Sequence, residues 1–126
     1  MQSPLTLAID IDQTLLAYPA FFTTLGAAFI QAGHRVYILT GNNHEQANKK
    51  LTLLAMKYPV KFYNLVIDTS QMNDEEWQMA KAGTEFALVA AKFKMRMAKQ
   101  LKIDIIFDDQ AMDLRMFGQT PVFEVR

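Results

Sequence analysis

The sequence predicts an α/β fold: a single domain over residues 1–126, with a mainly parallel five-stranded sheet covered by helices on both faces. Short and almost wholly apolar runs alternate with longer segments in which apolar residues recur every three or four positions. The length of 126 residues and a hydrophobic content of 51% suit one domain with a substantial core. Repeats, low-complexity segments and linkers are not apparent.

The first elements read as strand, helix and strand. Leu5–Ile11 is an apolar run typical of a buried strand. Pro19–Ala32 shows helical spacing, and Gly33 is a natural stop because glycine readily takes the left-handed conformation at a helix end. Val36–Leu39 is a second apolar strand.

A helix and a third strand follow. Either Asn42 or Asn43 can cap the helix, since a Glu or Gln stands three residues further on as a capping-box partner. The helix should end before Pro59, which cannot continue it. Val60–Ile67 then predicts a strand.

The remaining chain predicts two helical pieces and two strands. The segment 73–101 is helical in pattern but long, and Gly83-Thr84 is its natural break. A buried stripe is expected along the second piece: Phe86, Val89, Phe93, Met97 and Leu101. Ile103–Phe107 and Pro121–Val125 complete the five strands.

Composition excludes several kinds of site. The chain has no cysteine and two histidines, so thiol nucleophiles, zinc–thiolate sites and imidazole clusters are ruled out. Any metal should be a hard cation with oxygen ligands, such as Mg²⁺. With 13 basic and 13 acidic residues, the chain has no basic footprint for nucleic acid and no polybasic membrane patch. Residues 1–12 lack the features of a signal peptide, and the sequence therefore predicts a cytoplasmic protein.

Polar side chains stand at the ends of three of the predicted strands. The first run ends in Asp10-Ile11-Asp12, Thr40 follows the second strand, and Asp108 with Asp109 follows the fourth. In open α/β sheets ligands bind beyond the carboxyl ends of the strands. Four carboxylates meeting there would repel one another unless a cation lay between them. The alternative is that these aspartates only form turns at strand ends.

These residues resemble three motifs of the haloacid dehalogenase-like superfamily of phosphohydrolases, in family order. Asp10-Ile11-Asp12-Gln13-Thr14-Leu15 resembles its Asp-x-Asp-x-Thr/Val-Leu motif, and Val36–Leu39 with Thr40 its apolar strand ending in Thr or Ser. Ile105–Phe107 with Asp108-Asp109 resembles its strand ending in an acidic pair. The resemblance implies a Rossmann-like domain and Mg²⁺-dependent phosphatase activity through an aspartyl-phosphate intermediate.

The resemblance also implies residue roles. Asp10 would be the nucleophile and Asp12 the general acid and base. Mg²⁺ would be held by Asp10, the backbone carbonyl of Asp12, and Asp108, with Asp109 acting through water or by orienting a neighbour. Thr40 and Gly41 would bind the substrate phosphate, together with backbone N–H groups of the helix that begins near Asn43.

The family also uses a lysine against the phosphoryl group and the nucleophile. Lys92, Lys94 and Lys99 all precede the fourth strand. The fourteen-residue spacing from Lys94 to Asp108 fits the family best, although Lys94 falls inside a predicted helix, whereas the family usually places this lysine near a helix start.

The sequence also gives expectations for the lid, the substrate and the partners. Little chain is available for a lid, so any lid or loop element should be small and lie within residues 68–84. The expected substrate is a phosphorylated small molecule or macromolecule, and a homo-oligomer could complete the site. The alternative function is a non-catalytic or receiver-like regulatory module that binds phosphate and Mg²⁺. Receiver domains place their acidic pair first and their lysine last, which disfavours that reading here.

Overall fold

A computed structural model describes residues 3–126, and it confirms the α/β prediction; Met1 and Gln2, which the domain prediction includes, lie outside the described residues. One sheet has five strands: β1 (Thr6–Ile9), β2 (Arg35–Leu39), β3 (Leu65–Ile67), β4 (Ile105–Asp108) and β5 (Val122–Glu124). Their order is β3-β2-β1-β4-β5, and every neighbouring pair is parallel. The chain builds outward from β1 to β3 and then returns to the other side of β1. The strand order therefore reverses between β1 and β4, where open α/β sheets place their ligands.

Helices cover both faces of the sheet. They are α1 (Pro19–Gln31), α2 (His44–Lys57), α3 (Asp74–Lys81), α4 (Phe86–Gln100) and α5 (Ala111–Arg115). Successive residues of β1 point to opposite faces, so Ile9 belongs to the apolar cluster under α1 and α2, and Ala8 to the one under α3, α4 and α5. No helix within residues 3–126 is both long and apolar enough to cross a membrane.

The third strand is shorter than predicted. Residues 60–64 of the predicted strand Val60–Ile67 are irregular, and β3 begins only at Leu65. The Asn64 side-chain oxygen accepts from the backbone N–H of Val36 at 2.8 Å, which replaces a regular strand-to-strand bond. Phe62 is buried in the apolar cluster under α1, and its carbonyl oxygen would lie only 2.4 Å from a Cβ on Gly26. The apolar residues of this segment are thus buried by packing on a helix.

Two helix boundaries follow the predicted chemistry. Asn43 caps α2, since its side chain accepts from the N–H of Gln46 at 2.8 Å while the Gln46 side chain accepts from the N–H of Asn43 at 3.2 Å. Gly83, with φ of +92°, separates α3 from α4 as expected. Helix α5 and a 3₁₀ turn over Thr69–Gln71 were not predicted.

The predicted buried stripe of α4 is wrong at Phe86. Val89, Phe93 and Met97 are buried in the core, and Leu101 packs against it, but Phe86 is 47% exposed. Its position in the first turn of α4 places it beside a cavity at the carboxyl edge of the sheet rather than over the strands. Helical periodicity shows which face of a helix turns inward, but it does not show where the sheet beneath it ends.

Candidate active site

The carboxyl ends of β1, β2 and β4 bring the predicted site residues together. Asp10 follows β1 directly, and its N–H donates to the carbonyl of Phe107 in β4 at 3.0 Å. Thr40 follows β2, and its N–H donates to the carbonyl of Ile67 in β3 at 3.0 Å. Asp108 is the last residue of β4. Because backbone bonds of the sheet hold these residues, their relative positions are set by the core.

Lys94 joins two of the aspartates. Its Nζ donates to Asp10 Oδ1 at 2.8 Å and to Asp108 Oδ2 at 2.7 Å. All three side chains are at least nine-tenths buried. The two other candidate lysines lie elsewhere: Lys92 pairs with Glu75, and Lys99 is exposed on a different surface. Lys94 is therefore the lysine that the structure places against the predicted nucleophile.

Burial and excess negative charge together determine the electrostatics of this cluster. Burial, reinforced by Asp108, raises the pKa of the Asp10 carboxyl to about 7, although Lys94 opposes the shift. Burial and Asp108 also raise the pKa of Asp109. Burial lowers the pKa of the Lys94 ammonium, but Asp10 and Asp108 outweigh this effect and raise it above its ordinary value. One ammonium thus faces three carboxylates, and a further cation would relieve the repulsion between them.

The same carboxylates fit a metal ion. Asp10, Asp108 and Asp109 each offer an oxygen, and these oxygens all lie within 4.8 Å of one another. Carboxylate-only donors suit a hard divalent cation such as Mg²⁺. The Asp12 carboxylate is not part of this group, and its two oxygens are held by other side chains. Any contribution of Asp12 to a metal would come through its backbone carbonyl, as the resemblance implies.

Asp12 is held by two residues that the sequence did not single out for this role. Lys50 Nζ donates to Asp12 Oδ1 at 2.7 Å, and Asn42 Nδ2 donates to Asp12 Oδ2 at 2.8 Å. Burial alone would raise the pKa of Asp12, but these hydrogen bonds hold it below its ordinary value. Asn42 also donates to Thr40 Oγ1 from its backbone and its side chain, so the Thr40 hydroxyl keeps its own hydrogen to donate. The only sequence signal for Lys50 was its place two turns into the helix that follows Thr40.

A wide turn over Ile11–Leu15 follows Asp10 and contains Asp12, and its backbone is not helical at Asp12 and Gln13. The N–H of Leu15 donates to the carbonyl of Asp10 at 3.1 Å, five residues back. Gln13 has φ of +60°, the left-handed region that costs a non-glycine residue free energy. Residues held in such sparsely populated backbone regions occur frequently at functional sites. This turn leaves Asp10 buried and Asp12 half exposed.

A cavity of about 310 Å³ opens above these residues. The aspartates and Lys94 line one side, while Gly41, Phe86, Ala87 and Ala90 line another. Gly41 permits this packing, since a Cβ there would come within 3.1 Å of the Ala90 Cβ. Within residues 3–126, none of the residues that line the cavity belongs to the segment 68–84, in which a small lid was expected. That segment is bound to α4 through Glu76 and Arg96.

Comparisons with known proteins agree on the fold. No protein-family model and no curated protein matches the chain. A universal stress protein solved in complex with cAMP is similar over 99% of this chain and 98% of its own, with a TM-score of 0.56 and 10% identity. A chain of a Pnkp1/Rnl/Hen1 complex is similar over 97% of this chain, with a TM-score of 0.51 and 18% identity. This chain spans 45% of that second chain. At these identities the likeness shows a Rossmann-like α/β fold and nothing about activity.

Proposed function

We propose that this protein is a Mg²⁺-dependent phosphohydrolase that cleaves phosphate monoesters through an aspartyl-phosphate on Asp10. The observation that carries the proposal is Lys94, a buried ammonium that bridges Asp10 and Asp108 at the point where the strand order reverses. A buried lysine with two buried aspartates costs desolvation free energy, and an apolar core would avoid that cost. Binding of an anionic phosphoryl group beside a carboxylate nucleophile would explain why these charged groups are buried together.

The chemistry follows from the placement of the side chains. The Asp10 carboxylate attacks phosphorus, the bond from phosphorus to the ester oxygen breaks, and the phosphoryl group is transferred to Asp10. Asp12, on the exposed rim, gives a proton to the leaving oxygen and later takes one from the water that hydrolyses the acyl phosphate. Lys94 and the hydroxyl of Thr40 donate hydrogen bonds to the phosphoryl oxygens. The entering phosphate raises the pKa of Asp12, which favours its protonated form.

The carboxylates of Asp10, Asp108 and Asp109 would hold Mg²⁺. When bound, the ion reduces the repulsion between the nucleophile and the phosphate dianion and stabilises negative charge in the transition state. Because burial raises the pKa of Asp10, a cation next to it also favours the ionised carboxylate that attack requires.

The test is release of inorganic phosphate from glycerol phosphate and an aryl phosphate, with Mg²⁺ and with a chelator. We expect turnover only with Mg²⁺. Asp10→Asn should abolish it, and Asp12→Asn should lower kcat by about 10²- to 10⁴-fold, the usual contribution of a general acid and base. Asp74→Asn is the matched control, since Asp74 is an exposed carboxylate in the first turn of α3. Full activity of Asp10→Asn, or activity in chelator, would contradict the mechanism.

The same experiment distinguishes the proposed phosphatase activity from the alternative function. A receiver-like or non-catalytic module would bind Mg²⁺ through Asp10, Asp108 and Asp109 without releasing phosphate from any ester. Calorimetric titration with Mg²⁺ alone distinguishes this result from a site that binds no cation.

A further inference from the structure

The cavity has two chemically different sides. One side carries carboxylates and the Lys94 ammonium, and the other is an apolar strip of α4 formed by Phe86, Ala87 and Ala90. Phe86, Ala90 and Lys94 are spaced four residues apart, so they lie along one face of the helix. A substrate whose phosphate reaches Lys94 therefore meets the apolar strip with its leaving group.

Phe86 differs in burial from Phe93, the other aromatic residue of α4. Phe93 is fully buried, whereas Phe86 is 47% exposed and belongs to neither apolar core cluster. An exposed aromatic residue in the first turn of a helix contributes less to stability than a buried one. Its neighbours facing the cavity, Ala87 and Ala90, are small and leave room beside the ring.

The ring of Phe86 lies close to the phosphate-binding end of the cavity. A Cβ built on Gly41 would be 3.7 Å from Phe86 Cε2, and Gly41 directly follows Thr40. A group stacked on Phe86 must therefore be joined to the phosphate directly or through a short linker. The exposed amides of Gln13 and Gln110 also line the cavity and can bond to polar edges of such a group.

We propose that Phe86 is a specificity-determining residue, a platform that selects phosphate monoesters whose leaving group carries a flat aromatic ring. The assignment rests on the proposed phosphohydrolase function, since it names the substrate class of that site. Ring stacking on an aromatic side chain contributes selectivity because the two π faces match, which a saturated ring does not reproduce. The four carboxylates around the cavity disfavour additional negative charge on the leaving group.

The experiment compares benzyl phosphate with cyclohexylmethyl phosphate, which differ in the flatness of the ring and have similar leaving oxygens. We expect kcat/KM to favour benzyl phosphate by about 2- to 10-fold. A second pair, a nucleoside 5′-monophosphate and ribose 5-phosphate, tests the same preference with a sugar between the ring and the phosphate. Stacking there predicts that kcat/KM favours the nucleotide by about 5- to 100-fold. A preference in either pair supports the proposal, and the pair that shows it reports the linker length.

Variants assign any preference to Phe86. Phe86→Leu should bring the ratio close to one, while Phe86→Tyr should keep it. Phe21→Leu is the matched control, because Phe21 is 59% exposed in α1, on a different surface, and should leave activity and preference unchanged. Equal hydrolysis of the ring and saturated substrates by the wild-type protein would overturn the inference and leave the phosphohydrolase function intact. An equal loss on both substrates in Phe86→Leu would also overturn it, since Phe86 would then act through the fold.

A binding measurement decides the case in which no ester is hydrolysed and the proposed function fails. The carbon analogues 2-phenylethylphosphonate and 2-cyclohexylethylphosphonate can be titrated calorimetrically into wild-type protein and Phe86→Leu. Tighter binding of the phenyl compound, lost in Phe86→Leu, supports the platform independently of catalysis. Equal binding, or no binding of either compound, overturns it.

Discussion

Helix α4 carries two cations two residues apart, and each reaches buried carboxylates in a different environment. Lys94 faces Asp10 and Asp108 at the strand ends, while Arg96 donates through Nε and Nη2 to Glu76 at 2.8 and 2.9 Å. Residues two apart on a helix point about 200° from each other, so the two clusters lie on different sides of α4. The same helix thus contributes a cation to each cluster.

The two clusters differ in charge balance. Glu76 is fully buried, yet one guanidinium matches it and the N–H of Asn73 adds a hydrogen bond at 2.9 Å. Burial alone would raise the pKa of Glu76, but these bonds hold it below its ordinary value. At the other cluster the pKa of Asp10 is raised. A satisfied pair joins α3 to α4, whereas an unbalanced cluster is suited to receive another cation. Burial of charge alone therefore does not distinguish the two clusters, but unmatched negative charge at the strand ends does.

The largest effect is expected from removing the ammonium at the strand ends. Lys94→Met should lower kcat/KM for phosphate esters by about 10²- to 10³-fold, because a buried donor to the phosphoryl oxygens is lost. Steady-state kinetics with saturating Mg²⁺ measures the loss, and Lys99→Met, at an exposed position of the same helix, should behave as wild type. If Lys94→Met keeps more than half of the activity, the cluster does not act on phosphate.

Arg96→Met should affect stability instead. It leaves Glu76 buried without its partner, which costs about 3 kcal/mol in the free energy of unfolding, at the lower end for buried pairs because Arg96 is partly exposed. Urea denaturation at neutral pH measures this loss. Lys92→Met, which removes the partly exposed pair with Glu75, should cost less than about 1 kcal/mol. A drop in kcat/KM of Arg96→Met at a temperature where it is fully folded would mean that the two clusters are coupled.

The two clusters also show which features of the structure could be predicted from the sequence. Strand ends could be predicted to within two residues because apolar runs stop at polar residues, and parallel strands place Asp10, Thr40 and Asp108 at one edge. Lys94 could be proposed only beside Lys92 and Lys99, since three lysines on one helix differ in direction, which depends on how the helix packs.

Other features could not be predicted because they depend on contacts distant in sequence. Lys50 reaches Asp12 across 38 residues, and Arg96 reaches Glu76 across 20. Phe86 fits the buried stripe by periodicity, yet it lies beyond the strands. The start of β3 was misplaced because the apolar residue Phe62 is buried against a helix rather than within the sheet.

A smaller effect should appear as pH falls. Because the folded pKa of Glu76 is lowered, its contribution to stability is fully present above the unfolded value of 4.5 and is lost as pH falls through the folded pKa. The difference in unfolding free energy between wild type and Glu76→Gln should therefore be constant from pH 7 to about 5 and shrink below that. Urea denaturation at pH 7, 5 and 3.5 gives the difference. A difference that stays constant down to pH 3.5 would show that the Arg96 pair does not depend on the charge of Glu76.

The smallest effect is expected at Lys50, because both members of its pair with Asp12 are partly exposed, whereas each of the other two clusters contains a fully buried carboxylate. If Lys50 and Asn42 orient the Asp12 carboxylate, Lys50→Ala should lower kcat by about 10-fold, less than removal of a general acid and base, since Asn42 still holds one oxygen. The free energy of unfolding should change by less than about 1 kcal/mol, as expected for a solvated pair. Lys49→Ala, at the exposed neighbouring position, is the control. Unchanged kcat in Lys50→Ala would show that Asn42 alone orients Asp12, whereas a loss as large as that of Asp12→Asn would mean that Lys50 itself contacts the substrate phosphate.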